Sequence, residues 1–146
     1  MDKNLALKYQ SYIEDVAPNV ITILRSHLVI EEQLNQILEI IAFDYSSLCK
    51  AKLSFSQLVR IVQAFLDDPC HPNLFPSIIN LNKLRNMIAH NLEPSDLDKQ
   101  LTKFITSASN GIEKDIELKE DESINLEFCL GLIMGQLSAT IESIKP

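Results

Sequence analysis

Apolar side chains recur at three- and four-residue intervals over several stretches of the chain, the spacing of one helical face. The clearest run predicts a helix over about 20–42, behind Asn19 as its N-cap, with Val20, Leu24, Leu28, Leu34, Leu38 and Ile41 as its buried stripe. A short helix is expected before it, over about 4–15, and another over about 55–66 behind Ser54. The segment "DDPCHPN" (67–73), with two prolines, reads as a loop. A fourth helix should run from Phe75 to His90 and stop near Asn91, with Pro94 just beyond. A fifth restarts near Ser95, where Asp98 forms a weak capping pair with it. The last covers about 123–143 with Ile124, Phe128, Leu132, Met134 and Leu137 as candidate core. Between about 108 and 123 the chain is charged and reads as a loop or small hairpin, because Ile112, Ile116 and Leu118 alternate only in part.

Composition sharpens this into a fold class. The 146 residues suit one domain, and 46% hydrophobic content with three glycines and no tryptophan favours helices over turn-rich β structure. The expectation is an all-α, single-domain antiparallel helical bundle of about five to six helices over residues 1–146, with no internal repeat. Cys49, Cys70 and Cys129 are odd in number and widely spaced, which fits neither a disulfide framework nor a zinc knuckle and suggests a reducing cytoplasm. The N-terminus carries charges throughout and no apolar run approaches a membrane span, so a cytoplasmic location is expected. A net charge of −7 argues against a broad nucleic-acid-binding surface, since phosphate contacts need many Lys and Arg. Any RNA contact must then be local.

One stretch, "NKLRNMIAHNLEP" (82–94), breaks the apolar pattern. At about 100° per residue, with Arg85 at 0°, Asn86 falls near 100° and His90 near 140°, while Leu81, Leu84, Met87 and Ile88 occupy roughly 200–320°. The second group should be buried, and Arg85, Asn86 and His90 should share the other face with Ile78, Ile79 and Ala89. A face that mixes apolar residues with Arg, Asn and His suits a helix that packs twice, and a homodimer seam is the natural second contact.

"RNMIAH" resembles the Arg, polar residue, spacer, His motif of the HEPN superfamily of small all-α proteins, and "SHLVIEEQLNQIL" resembles the long helix that precedes it there. The resemblance implies a metal-independent endoribonuclease whose site is composed from both protomers of a homodimer, in a toxin of a toxin–antitoxin system or a phage-defence effector. His90 would move protons near neutrality. Arg85 would stabilise charge on the phosphoryl oxygens through two parallel hydrogen bonds, and Asn86 would hold the imidazole or the phosphate. RNA would be the substrate, no cofactor or metal is called for, and an antitoxin such as a nucleotidyltransferase would be a separate chain. The rival reading is a non-catalytic HEPN-like module that binds a protein partner, in the manner of the mannitol-repressor relatives; a small-ligand-binding bundle ranks last. Arg and His are also favoured near any helix C-terminus by its dipole and free carbonyls, a purely structural account of the same residues.

Other polar clusters carry less. His27 and Glu31, one turn apart, fall inside the apolar stripe of the long helix and form either a structural pair or a support that orients Arg85 or His90. Cys70 and His71 beside Asp67 and Asp68 lack the repeated spacing of a zinc site. The acidic stretch from Glu113 to Glu122 reads as a solvated loop, with a basic antitoxin surface as the partner it would suit. No phosphate-binding glycine loop, GxSxG or HExxH is present.

Overall fold

A computed structural model describes residues 3–11, 17–66, 72–90, 94–109 and 125–146. Among these residues the chain is all-helical, without strands: α1 (Lys3–Ser11), α2 (Ala17–Ile41), α3 (Tyr45–Ala51), α4 (Phe55–Phe65), α5 (Leu74–His90), α6 (Pro94–Ser109) and α7 (Leu126–Ile144). Residues 12–16, at the end of the first expected helix, lie outside the described set, as do 67–71 of the proline loop and 110–124, which hold the acidic stretch.

Local chemistry sets the ends. Ser54 Oγ accepts from Gln57 N at 3.2 Å and Gln57 Oε1 accepts from Ser54 N at 2.9 Å, a reciprocal cap that starts α4. Asn125 Oδ1 accepts from Phe128 N at 2.8 Å and starts α7. Pro94 lies beyond the end of α5, as expected, and it also opens α6, one residue before the expected restart at Ser95, because a first-turn residue needs no N–H and proline's φ is already helical. The periodicity did not expect α3. Asp44 nucleates it by accepting from both the amide and the hydroxyl of Ser47, at 3.2 and 2.6 Å, and Lys52 closes it in the left-handed conformation, φ 51°.

The long α2 is the spine, packed against α4, α5 and α7, while α5 also touches α4, α6 and α7. α5 and α6 pack side by side, and Gln100 Nε2 of α6 donates to Asn80 O of α5 at 3.4 Å. Gln33 Nε2 donates to Met134 O and Ser138 Oγ and ties α2 to α7. At the centre Ile30, Leu34 and Ile37 of α2 meet Val62, Ile78, Leu81, Leu84, Phe104 and Leu137, all fully buried.

Three core assignments need correction. On α2 the buried stripe is Ile23, Ile30, Leu34, Ile37 and Leu38; Leu24 and Leu28 are exposed, at 37% and 65%. The helix is apolar on two sides, and a strict four-residue step from Val20 drifts off the side that its neighbours cover. On α7 the inward residues are Leu126, Cys129, Leu130, Ile133 and Ile141 with Leu137. Phe128 and Leu132 instead border a shallow outward groove beside Gly131 and Gly135. On α5 Ile78 is fully buried rather than outward-facing, because the first turns of that helix are surrounded by neighbours. Met87 and Ile88 are only half-buried, since the last turns emerge from that packing. Among the described residues no helix is long and apolar enough to cross a membrane.

Candidate functional site

The change in surroundings along α5 creates the site. Leu74, Phe75, Ser77, Ile78, Leu81 and Leu84 anchor the helix in the core, and Arg85, Asn86, Ala89 and His90 are exposed on the turns that follow. A rigid, buried stem thus presents three polar side chains to solvent, the kind of support that keeps a site in register. Arg85 Nη1 donates to Asn86 Oδ1 at 3.3 Å, so Asn86 orients the guanidinium. Of the two partners expected for Asn86, the His90 imidazole is not one within the chain: among the described residues no hydrogen bond to His90 is formed. Within one chain the pair that is built is Arg85 and Asn86, with His90 one turn on.

Behind this face stands His27, only 5% exposed. Its Nε2 lies 3.1 Å from Asn82 Oδ1, and in the Nε2–H tautomer the ring donates to that oxygen. The ring also packs on Phe55 with centroids 4.0 Å apart. Burial pushes the imidazole's pKa below its ordinary value; the hydrogen bond to Asn82 and the Glu31 carboxylate oppose this, and the Arg85 guanidinium adds to it. His27 is therefore neutral at physiological pH. Its direct partner is Asn82, while half-buried Glu31 and exposed Arg85 act on it through space with opposite sign. Asn82 was not singled out from the sequence. The available signal was its spacing: three residues before Arg85 and four before Asn86, it falls on the same face.

A cleft of about 240 Å³ opens on the other side of Glu31, between α2, α3 and α4. Leu38, Leu48 and Leu58 contribute apolar walls, with Glu31, Tyr45 and Lys52 among its polar ones. Tyr45 Oη donates to Asn35 Oδ1 at 3.3 Å, and Asn35 Nδ2 donates to the Glu31 carbonyl at 3.0 Å. Burial and the neighbouring Cys49 raise the phenol's pKa, so Tyr45 stays a neutral donor. This cleft was hidden in the sequence because α3, only seven residues long, has no periodic signal.

The other proposed chemistry divides cleanly. Cys129 is buried, its thiol pushed up by burial; it sits in the α6–α7 contact, and Cys49 is exposed. Cys70, His71, Asp67 and Asp68 lie outside the described residues, among which no group of three or more His, Cys, Asp or Glu could hold a metal ion. No protein-family model, characterised protein or solved structure matches the chain.

Proposed function

We propose that the protein is a metal-independent endoribonuclease of HEPN type, acting as a homodimer with Arg85 and His90 of both protomers in one composite site and Asn86 in support. The observation that carries this reading is the placement of those three side chains, exposed together on the emerging end of a helix whose stem is locked in the core. Arg85 supplies the fixed cation that clamps the phosphoryl oxygens, with one of its five donors already steadied by Asn86. His90 moves the proton of the 2′-hydroxyl or of the leaving oxygen. His27 is not the titrating group, since burial keeps its ring neutral; its role is to position α5 against α2 through Asn82.

An exposed apolar stripe supports the dimer. Ile21, Leu24 and Leu28, with Val29 beside them, are solvent-facing on α2. At about 100° per residue the first three lie roughly 60–120° round the helix from His27, the residue that faces α5. A second copy laid on that stripe would cover this apolar surface, and the composite site requires that it also bring its own Arg85 and His90 to the seam. Toxin or phage-defence roles, with an antitoxin as separate partner, are the setting in which such an enzyme fits. The test is cleavage of labelled RNA by purified protein in EDTA. Cutting that persists without metal and is lost in His90→Ala supports the reading; equal cutting by the variant rejects it.

The same stripe and the net charge of −7 also favour a second reading, a non-catalytic module that binds a protein partner. It predicts an intact fold, no RNA cleavage by the wild type, and a stable complex lost in Leu28→Glu.

A further inference from the structure

The cleft between α2, α3 and α4 lies one helical turn along α2 from the contact that ties this helix to α5. Glu31 lines the cleft and also acts electrostatically on His27, the imidazole on which Arg85 acts from α5. Glu31 and Arg85 each stand about one turn from the His27–Asn82 contact, Glu31 on α2 and Arg85 on α5. The cleft suits a small, partly apolar group. Its volume of about 240 Å³ falls below the roughly 300–1,000 Å³ typical of sites for drug-sized ligands, which suits one ring system rather than a whole nucleotide.

The polar groups in its walls are not equivalent. The Tyr45 hydroxyl and the Asn35 amide are already engaged with each other, and Asn35 is further held by the Glu31 carbonyl. Glu31 is different: the residue lines the same cleft, half-buried, and among the described residues its carboxylate accepts no hydrogen bond. An ionised carboxylate is acceptor-only, with two oxygens side by side. Of the four RNA bases only guanine offers two adjacent N–H donors, N1–H and N2–H, on one edge. Adenine and cytosine set a ring-nitrogen acceptor beside their amino group, and uracil flanks its one N–H with two carbonyls, so each of these three also turns a lone pair toward the carboxylate.

We propose that this cleft is a guanine subsite of the RNA-binding surface, with Glu31 accepting from N1–H and N2–H, the leucines and the Tyr45 ring enclosing the base, and Lys52 at the rim meeting an adjoining phosphate. The assignment rests on the reading of the protein as an RNA-cleaving enzyme, and it adds a base preference to it. Single-stranded RNA is read in this way, by enclosing a splayed base and pairing with its Watson–Crick edge.

Two measurements test it separately from catalysis. Calorimetric binding of the four nucleoside monophosphates to the intact protein should favour GMP over AMP by about tenfold or more, the scale of one two-point base contact. Glu31→Gln, which is isosteric but replaces one acceptor by a donor, should erase that ratio, and Leu48→Trp, which fills the cleft, should abolish binding of all four. Mapped cut positions in RNA should cluster at guanosines for the wild type and lose that bias in Glu31→Gln. Equal binding of the four nucleotides, or a GMP preference that survives Glu31→Gln, overturns the subsite even if RNA is cut. A GMP preference lost in Glu31→Gln, in a protein that cuts no RNA, keeps the subsite and rejects the nuclease reading.

Discussion

The imidazole of His27 and the side-chain amide of Asn82 meet at 3.1 Å, tying α2 to α5 across 55 residues of sequence. This contact sets where the exposed end of α5 sits, because Asn82 is one turn before Arg85 on the same helix. A buried imidazole that loses its partner keeps the full desolvation cost of an unmade hydrogen bond. Asn82→Ala should therefore lower unfolding free energy by about 1–3 kcal/mol in urea titrations. A change within about 0.5 kcal/mol, the range of ordinary surface substitutions, would mean the contact contributes little.

The same histidine sets a pH dependence. Burial is the largest influence on it and holds its pKa below the ordinary 6.5, with Arg85 adding to the depression and Asn82 and Glu31 opposing it. Below about pH 6.5 the unfolded chain takes up a proton at this position that the folded chain resists, so folding stability falls as pH drops and levels off once pH is beneath the folded pKa. Above pH 6.5 both states are neutral and the effect vanishes. His27→Asn should give a shallower decline in stability than the wild type between about pH 7 and about pH 5, whatever its stability at neutral pH. Parallel pH profiles for the two proteins would contradict the assignment.

Leu34 and Leu28, less than two turns apart on α2, should respond in opposite ways. Leu34 is fully buried at the meeting of helices, and its truncation to Ala should cost about 2–5 kcal/mol through lost burial and the cavity left behind. Leu28 is 65% exposed, and Leu28→Ala should leave monomer stability within about 0.5 kcal/mol. Leu28→Glu should instead shift the protein toward monomer in sedimentation, because it places a charge on the apolar stripe assigned to the dimer seam. An unchanged dimer fraction would move that seam elsewhere.

These two leucines also show how far the sequence could be read. The periodicity of α2, α4, α5 and α7 gave the all-α class and most helix limits, because apolar spacing and caps such as Ser54 are local signals. It put Leu28 beside Leu34 in one stripe, since a helix with apolar residues on two sides does not declare which side its neighbours cover. The outward Arg85, Asn86 and His90 were legible from their angles alone. Asn82 was not, because its importance lies in a residue 55 positions away. The cleft beside Glu31 was equally hidden, since it depends on α3, a helix built by the Asp44 and Ser47 cap rather than by hydrophobic spacing.

At Arg85, charge and geometry can be separated. Asn86 Oδ1 takes one donor of the guanidinium and leaves a planar fork exposed to solvent, the shape that binds two phosphoryl oxygens at once. Lys at this position keeps the charge but offers a point donor that Asn86 cannot hold in one plane. If the fork carries transition-state stabilisation, Arg85→Lys should lower the RNA cleavage rate by about 10²-fold, in the range seen when one preorganised donor is removed from a developing anion. The loss should fall on kcat rather than KM, because the ground-state phosphate is attracted by either cation. Asn86→Ala should produce a smaller loss of the same kind, since it frees the guanidinium without removing it. Activity in Arg85→Lys equal to the wild type would show that only the charge matters, and would leave the Asn86 contact without a catalytic role.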